Sequence, residues 1–185
     1  LDGGAPVIRD SICWHDEPGG SNGGGVEARN GSADPQTLTL RNVTAVSSNA
    51  RPGLFAVRSS GGALVVNATN VIAQSGTGSD VGQIAGLSAD AVNLDHSNYD
   101  TEADTAGTIT NPGTGTNQTL PPELVNAAGG DFRQLSTSTG TIDLGVAGVV
   151  NGVDLGTFDF EGQPRTSGAA PDIGGFVADE RRVRQ

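Results

Sequence analysis

Apolar residues along the chain fall in short runs, and polar positions alternate with them or bound them. Val26-Glu27-Ala28, Leu38-Thr39-Leu40, Leu54-Phe55-Ala56, Val66-Asn67-Ala68 and Leu94-Asp95-His96 are typical. That alternation has the two-residue period of a strand with one buried face. No apolar stripe at the helical period survives the glycines, so no helix of useful length is predicted. Pro18-Gly19-Gly20, Ser48-Asn49-Ala50 and Ser75-Gly76-Thr77 open polar, Gly-rich intervals between the runs, and these are turn signals.

The runs also repeat. Asn42-Val43, Asn70-Val71 and Asn98-Tyr99 stand 28 residues apart, each after a strand-like run. The same interval sets Val26-Glu27-Ala28 beneath Leu54-Phe55-Ala56, with Gly82-Gln83-Ile84 next. Strands this short are not stable alone. Stacked about 4.8 Å apart, they form long parallel sheets around a narrow apolar interior. The pattern therefore predicts an all-β fold, a right-handed parallel β-helix (a solenoid) with 28-residue coils over about residues 5–100. Asn42, Asn70 and Asn98 are expected to stack at one turn as an amide ladder. Thr101 to Thr119 reads as a long loop or distorted coil, which ends a first unit at residues 1–120. Pro121-Pro122 then opens a second unit, 121–185, expected to be a capping segment and tail.

Composition narrows the core. Gly 29, Thr 17, Ser 14 and Asn 12 account for 72 of 185 residues, and aromatics for only 4%. The core must be thin and built from the 36 Val, Ile and Leu residues. Charge narrows the partners. All ten cations are Arg, against 21 acids, for a net charge of −11. A nucleic-acid partner needs a basic stripe, and an anionic membrane surface needs one too; neither is predicted. No apolar run is long enough for a membrane span. A start at Leu1 rather than Met suggests a piece of a longer polypeptide.

Candidate chemistry is sparse. A glycosidase needs two carboxylates across one sugar bond, yet Asp16, Asp100 and Asp104 have no acidic partner at the repeat interval. A polysaccharide lyase needs a base, and with no Lys the candidates are Arg29, Arg41, Arg51 and Arg58. His15 and His96 lie 81 residues apart. Cys13 reads as a buried structural thiol flanking a strand rather than an activated thiol or a metal ligand. The densest acidic stretch supplies the calcium candidates Asp95, Asp100, Glu102 and Asp104, although its spacing is not that of an EF-hand. A solvated acidic loop is the alternative. No catalytic residue is assigned, and no cofactor other than Ca²⁺ is considered.

The last third of the chain carries a set of ordered motifs. They are Pro122-Glu123-Leu124, Asp131-Phe132-Arg133-Gln134-Leu135, Thr141-Ile142-Asp143-Leu144-Gly145, Asp159-Phe160-Glu161-Gly162-Gln163-Pro164-Arg165 and Pro171-Asp172-Ile173-Gly174-Gly175-Phe176. Over 121–176 this resembles the tail of bacterial parallel β-helix surface proteins of the choice-of-anchor Q domain family. Thr139-Gly140-Thr141 replaces the usual Ser-Pro-Ala, Gln134 is inserted, and Val177 replaces a Glu. The resemblance implies an extracellular or cell-surface protein with polysaccharide or cell-envelope partners, and it implies no enzymatic activity. The tail's Phe132, Leu135, Ile142, Leu144, Phe158, Phe160, Ile173 and Phe176 are expected to cover the open end of the last coil. Asp131, Asp143, Asp159 and Asp172, with Arg133 and Arg165, are expected to pin it by pairing or by accepting backbone N–H bonds. The expectation is a non-catalytic surface module with a structural, adhesive or glycan-binding role. The alternative is the terminal part of a polysaccharide lyase or glycoside hydrolase whose catalytic face lies upstream.

Overall fold

A computed structural model describes residues 5–16, 24–59, 61–84, 89–104, 109–111 and 115–178. The chain alternates between two parallel sheets. The first stacks β1 (Val7–His15), β3 (Gln36–Ser47), β5 (Leu64–Ser75), β7 (Ala91–Asp95) and β9 (Ile109–Thr110) in that order. The second stacks β2 (Val26–Asn30), β4 (Leu54–Arg58), β6 (Val81–Ile84) and β8 (Glu102–Asp104). Each pass through both sheets advances the chain by one strand in each.

Alternation decides which face is buried. Leu38, Leu40, Leu64, Val66, Ala68, Val92 and Leu94 from the first sheet meet Val26, Ala28, Leu54, Ala56 and Val81 from the second in one core. On the opposite face of the first sheet, Asn93 Nδ2 donates to Asn67 Oδ1 at 2.8 Å and Thr110 Oγ1 to Asn93 Oδ1 at 2.6 Å. Polar rungs of this kind fix the register of neighbouring strands.

β1, β3 and β5 each bend at a residue with positive φ: Asp10 at 50°, Asn42 at 54° and Asn70 at 54°. His96, at 45°, follows β7 in the next rung. Asn, Asp and His are the non-glycine residues that tolerate this conformation best. Past each bend the inward residues resume with Val43, Ala45, Val71 and Ala73.

The 28-residue interval is local. It relates β2 to β4 and β3 to β5, whereas β1 precedes β3 by 32 residues and β4 precedes β6 by 27. Later steps shorten to 26, 21 and 17 residues. The ladder constrains strand pairing, not turn length, so insertions and deletions collect in the turns. Two corrections follow. Val81, not Gly82, lies opposite Leu54. His96, not Asn98, continues the positive-φ column, while Asn98 bridges Ile72 and Gln118. Of the two readings of Thr101 to Thr119, a long loop or a distorted coil, the second fits: the stretch contributes β8 and β9 to the sheets.

The remainder has little regular structure. β10 (Leu124–Asn126) and β11 (Asp131–Gln134) pair antiparallel around one 3₁₀ turn. β12 (Val149–Val150) and β13 (Val153–Asp154) form a hairpin on Asn151-Gly152, both with positive φ as a type I′ turn requires. Among the described residues, the contacts of this tail run along the flank of the sheets rather than across the end of the last strands. Gly140 lies against Asn98, Gly145 against Asn70, Gly174 against Ile72 and Thr44, Gly175 against Ile12, and Gly130 against Trp14. The bends explain the location: they leave backbone and amide groups outside the sheet ladder, and the tail supplies their partners.

Candidate functional site

The bends build a polar column, and the tail is fastened to it. Asn42 Nδ2 donates to Asp10 Oδ1 at 2.9 Å, and Asn70 Nδ2 to Asn42 Oδ1 at 3.1 Å. The same two amides reach the tail. Asn42 donates to the Leu155 carbonyl at 2.7 Å, and Asn70 to that of Val146 at 3.1 Å. Val146 N–H returns a bond to Asn70 Oδ1 at 2.8 Å, and Gly174 N–H donates to the Asn70 carbonyl at 2.9 Å. At the far end, Asn98 Nδ2 donates to Leu120 and Gly140 carbonyls at 2.8 and 3.1 Å.

Two buried arginines flank the column. Arg165, 1% exposed, pairs with Asp10 at 2.6 Å and donates to the Gly174 and Gly175 carbonyls. Arg41, 0% exposed, lies under the tail and donates to the carbonyls of Val146 at 2.6 Å and Gly148 at 3.3 Å. Arg41 Nε and Nη1 and Arg165 Nε have no hydrogen-bond partner among the described residues. Burial lowers the pKa of both guanidiniums; the nearby Arg165 charge adds to the effect on Arg41, and the Asp10 carboxylate opposes it on Arg165.

The tail's acids hold its own backbone. Asp159 accepts from Glu161, Gln163 and Val177 N–H groups, and Asp172 from those of Asp143 and Ala178. Burial raises the Asp172 pKa, partly offset by those two N–H bonds. Gln134 donates to the carbonyls of Ile173 and Phe176 at 2.8 and 3.0 Å. The expected pinning role of these acids is seen, with one change of partner: Arg165 crosses to Asp10 on β1, whereas Arg133 pairs locally with Asp131.

An aromatic contact fixes the side nearest β1. Phe132 and Phe176 pack on Val46, and Trp14 meets Phe132 edge-on with ring centroids 5.4 Å apart. Phe160 stacks edge-on against Phe176 at 5.5 Å. Of the tail's apolar residues, Phe132, Ile173 and Phe176 are buried, Ile142 and Leu144 half-buried, and Leu135, Phe158 and Phe160 exposed. Because the tail lies on a flank, one of its faces stays in water.

The other candidates are dispersed. Among the calcium candidates, Asp95 Oδ1 accepts from Thr116 Oγ1 and lies 2.8 Å from His96 Nδ1, while Asp100 is exposed and Glu102 sits on β8. Asp104 lies opposite Gln83 in the second sheet. Among the described residues, no three His, Cys, Asp or Glu side chains converge on one point. His15 pairs with Asn49 and His96 with Asp95, so the two imidazoles do not share a site. Arg29 pairs with Glu27, Arg58 with Asp90, and Arg51 lies over the Phe55 ring. Cys13 is half-buried, and burial pushes its thiol up, away from the reactive thiolate.

Asp10, Arg41 and Arg165 were not recognised in the sequence as members of one site. The 32-residue first step hides Asp10 from a 28-residue repeat. Its residue type was the available signal, since Asp shares the positive-φ tolerance of Asn. No family model, curated protein or solved structure matches the chain. Among the described residues, no helix is long and apolar enough to cross a membrane.

Proposed function

We propose that the chain is a non-catalytic module of a secreted or cell-surface protein, with a structural, adhesive or glycan-binding role. Its two parallel sheets form a right-handed β-helix, and the tail straps the flank of the coils. One observation carries this reading: the charged groups of the column and tail make their hydrogen bonds to the chain's own backbone and to one another. Asp10, Asp159, Asp172, Arg41 and Arg165 all bind internal partners. A catalytic acid or base instead needs reach to a substrate proton. The residual likeness of residues 121–176 to choice-of-anchor Q tails supports the surface location, and the acidic net charge favours neutral over acidic glycans as partners.

The test pairs binding with turnover. Purified chain is incubated with pectin, alginate and a panel of neutral polysaccharides, reading retention on the insoluble polymer and formation of new reducing or unsaturated ends. Retention without new ends is the expected result. New ends that disappear with a single Asp or Arg substitution would replace this function with a carbohydrate-active enzyme.

A further inference from the structure

Arg41 carries a buried charge with no acid against it among the described residues. It stands on the outer face of β3, fully buried, with Arg9 beside it in β1 and Thr69 beside it in β5. Parallel neighbours in register lie about 4.8 Å apart, so the charge next to it in the column has the same sign. Asp10, the carboxylate at that end, is already shared by Arg9 at 3.0 Å and Arg165 at 2.6 Å. Asp95 lies one strand beyond Thr69, and its Oδ1 is occupied by His96 and Thr116. Asp154 is exposed on the β12–β13 hairpin.

The donors of Arg41 are unmatched as well. Both of its hydrogen bonds leave from Nη2, to the carbonyls of Val146 and Gly148. Its Nε and Nη1 are buried and have no partner among the described residues. A lysine in that place would shed its proton; a guanidinium does not. A buried cation without a counter-charge is costly. Donors without acceptors and charge without counter-charge are two deficits that a single anion meets.

We propose that Arg41 anchors a buried halide site, with one chloride ion held against its free Nε and Nη1 groups beneath residues 146–148. The surroundings select a small monovalent ion. One charge needs offsetting, and the fields of Asp95 and Asp154 reach Arg41 from further off, which opposes a second negative charge. A phosphate or sulfate would also bring several oxygens that each need a donor. Thr69, 2% exposed, offers one hydroxyl on the same face. A spherical ion accepts from whichever N–H and O–H groups surround it. Arg165 is near enough for its charge to act on Arg41, and it adds to the attraction for an anion. This inference rests on the contacts of Arg41 and not on the surface role, and its test involves no glycan.

Melting temperature against chloride tests the site. Sodium and ionic strength are held constant in the 185-residue chain while chloride replaces the bulky anion gluconate, up to about 0.15 M. An ion that binds only the folded chain stabilises it by mass action. A site half-filled at about a tenth of that chloride should raise the melting temperature by roughly 3–6 °C. The rise should saturate, and sodium bromide should reproduce it. In Arg41→Met it should vanish, whatever that change does to the baseline, whereas Arg29→Gln on the second sheet should keep it in full. If Arg41→Met does not fold, Arg41→Lys reads the same site. It keeps a charge but not the fork of donors, so half-saturation should move to at least roughly tenfold more chloride. A melting temperature indifferent to chloride would overturn the proposal and give the free donors to water. So would a rise that climbs without saturating, the mark of a general salt effect. A saturable rise that survives in Arg41→Met, or an unmoved half-saturation in Arg41→Lys, would place the ion elsewhere and overturn it too.

Discussion

Asn70 donates from Nδ2 to Asn42 Oδ1 across 3.1 Å, and its own Oδ1 accepts the Val146 N–H at 2.8 Å. One side chain thus joins two neighbouring strands and the tail that crosses them, while its backbone holds φ at 54°. Replacement by Gly keeps the bend and removes the three side-chain bonds. With buried donors and acceptors left unpaired, the expected cost is about 2–4 kcal/mol. Asn70→Ala should cost about 1–2 kcal/mol more, because a Cβ strains the left-handed conformation without replacing the amide. Urea denaturation of the two variants checks this. An Asn70→Gly variant as stable as the parent would show that the column is decorative.

The Asp10–Arg165 pair joins β1 to a residue 155 positions later, and the arginine is buried. Removing one member strands the other charge; removing both does not. Asp10→Asn keeps a residue that tolerates positive φ, and Arg165→Met keeps the apolar stem. Each single variant should destabilise the protein, and the double variant should be less harmful than their sum by about 1–3 kcal/mol. A double-mutant cycle that closes additively would mean the pair contributes no coupling.

Asp10, with His96, marks the limit of what was legible in the sequence. Parallel strands, the apolar inner columns and the 28-residue step through β3 and β5 followed from alternation and spacing, because ladder pairing imposes both. The rungs outside that step did not. Turn lengths change freely, so Asp10 and His96 fell outside the repeat even though their residue types suit the bend. Likewise, the tail's Asp residues showed that something had to be pinned. Nothing local in Asp159 or Asp172 indicated a flank rather than an end, since that depends on which distant backbone groups the bends leave open. Phe158 and Phe160, expected to cover the end of the last coil, are exposed at 56% and 57% for the same reason.

Asp172 gives the stability a pH signature. Burial raises its folded-state pKa above the ordinary 3.8, ahead of the opposing N–H bonds. Between those two values the folded chain holds more protons than the unfolded chain at this site. Its contribution to stability is therefore fully present below pH 3.8 and declines as pH rises through the folded value. The melting-temperature gap between parent and Asp172→Ala should accordingly narrow from acid towards neutral pH. A gap that stays constant or widens would mean that the two N–H bonds outweigh burial.

Removing the tail after Leu120 tests the strap as a whole. The truncation strips Phe132 and Phe176 from Val46, Arg165 from Asp10, and every tail carbonyl from Arg41, Asn42 and Asn70. Water can re-satisfy the amides, so most of the loss is apolar. Two large rings and the flank they cover return to solvent, at roughly 1.5–3 kcal/mol per buried side chain. The newly bared apolar flank of Ile12, Val46 and Ile72 should also associate. The fragment is therefore expected to aggregate or to unfold without a cooperative transition. Phe176→Ala should give an intermediate loss of about 3–5 kcal/mol, as for other large-to-small core changes. Asp100→Ala, at an exposed carboxylate, should stay within about 0.5 kcal/mol of the parent. Sedimentation and thermal melts of the three proteins decide the matter. A soluble fragment ending at Leu120 that melts cooperatively at the parent's temperature would show that the coils stand without their strap, and that residues 121–178 are a rider on the flank.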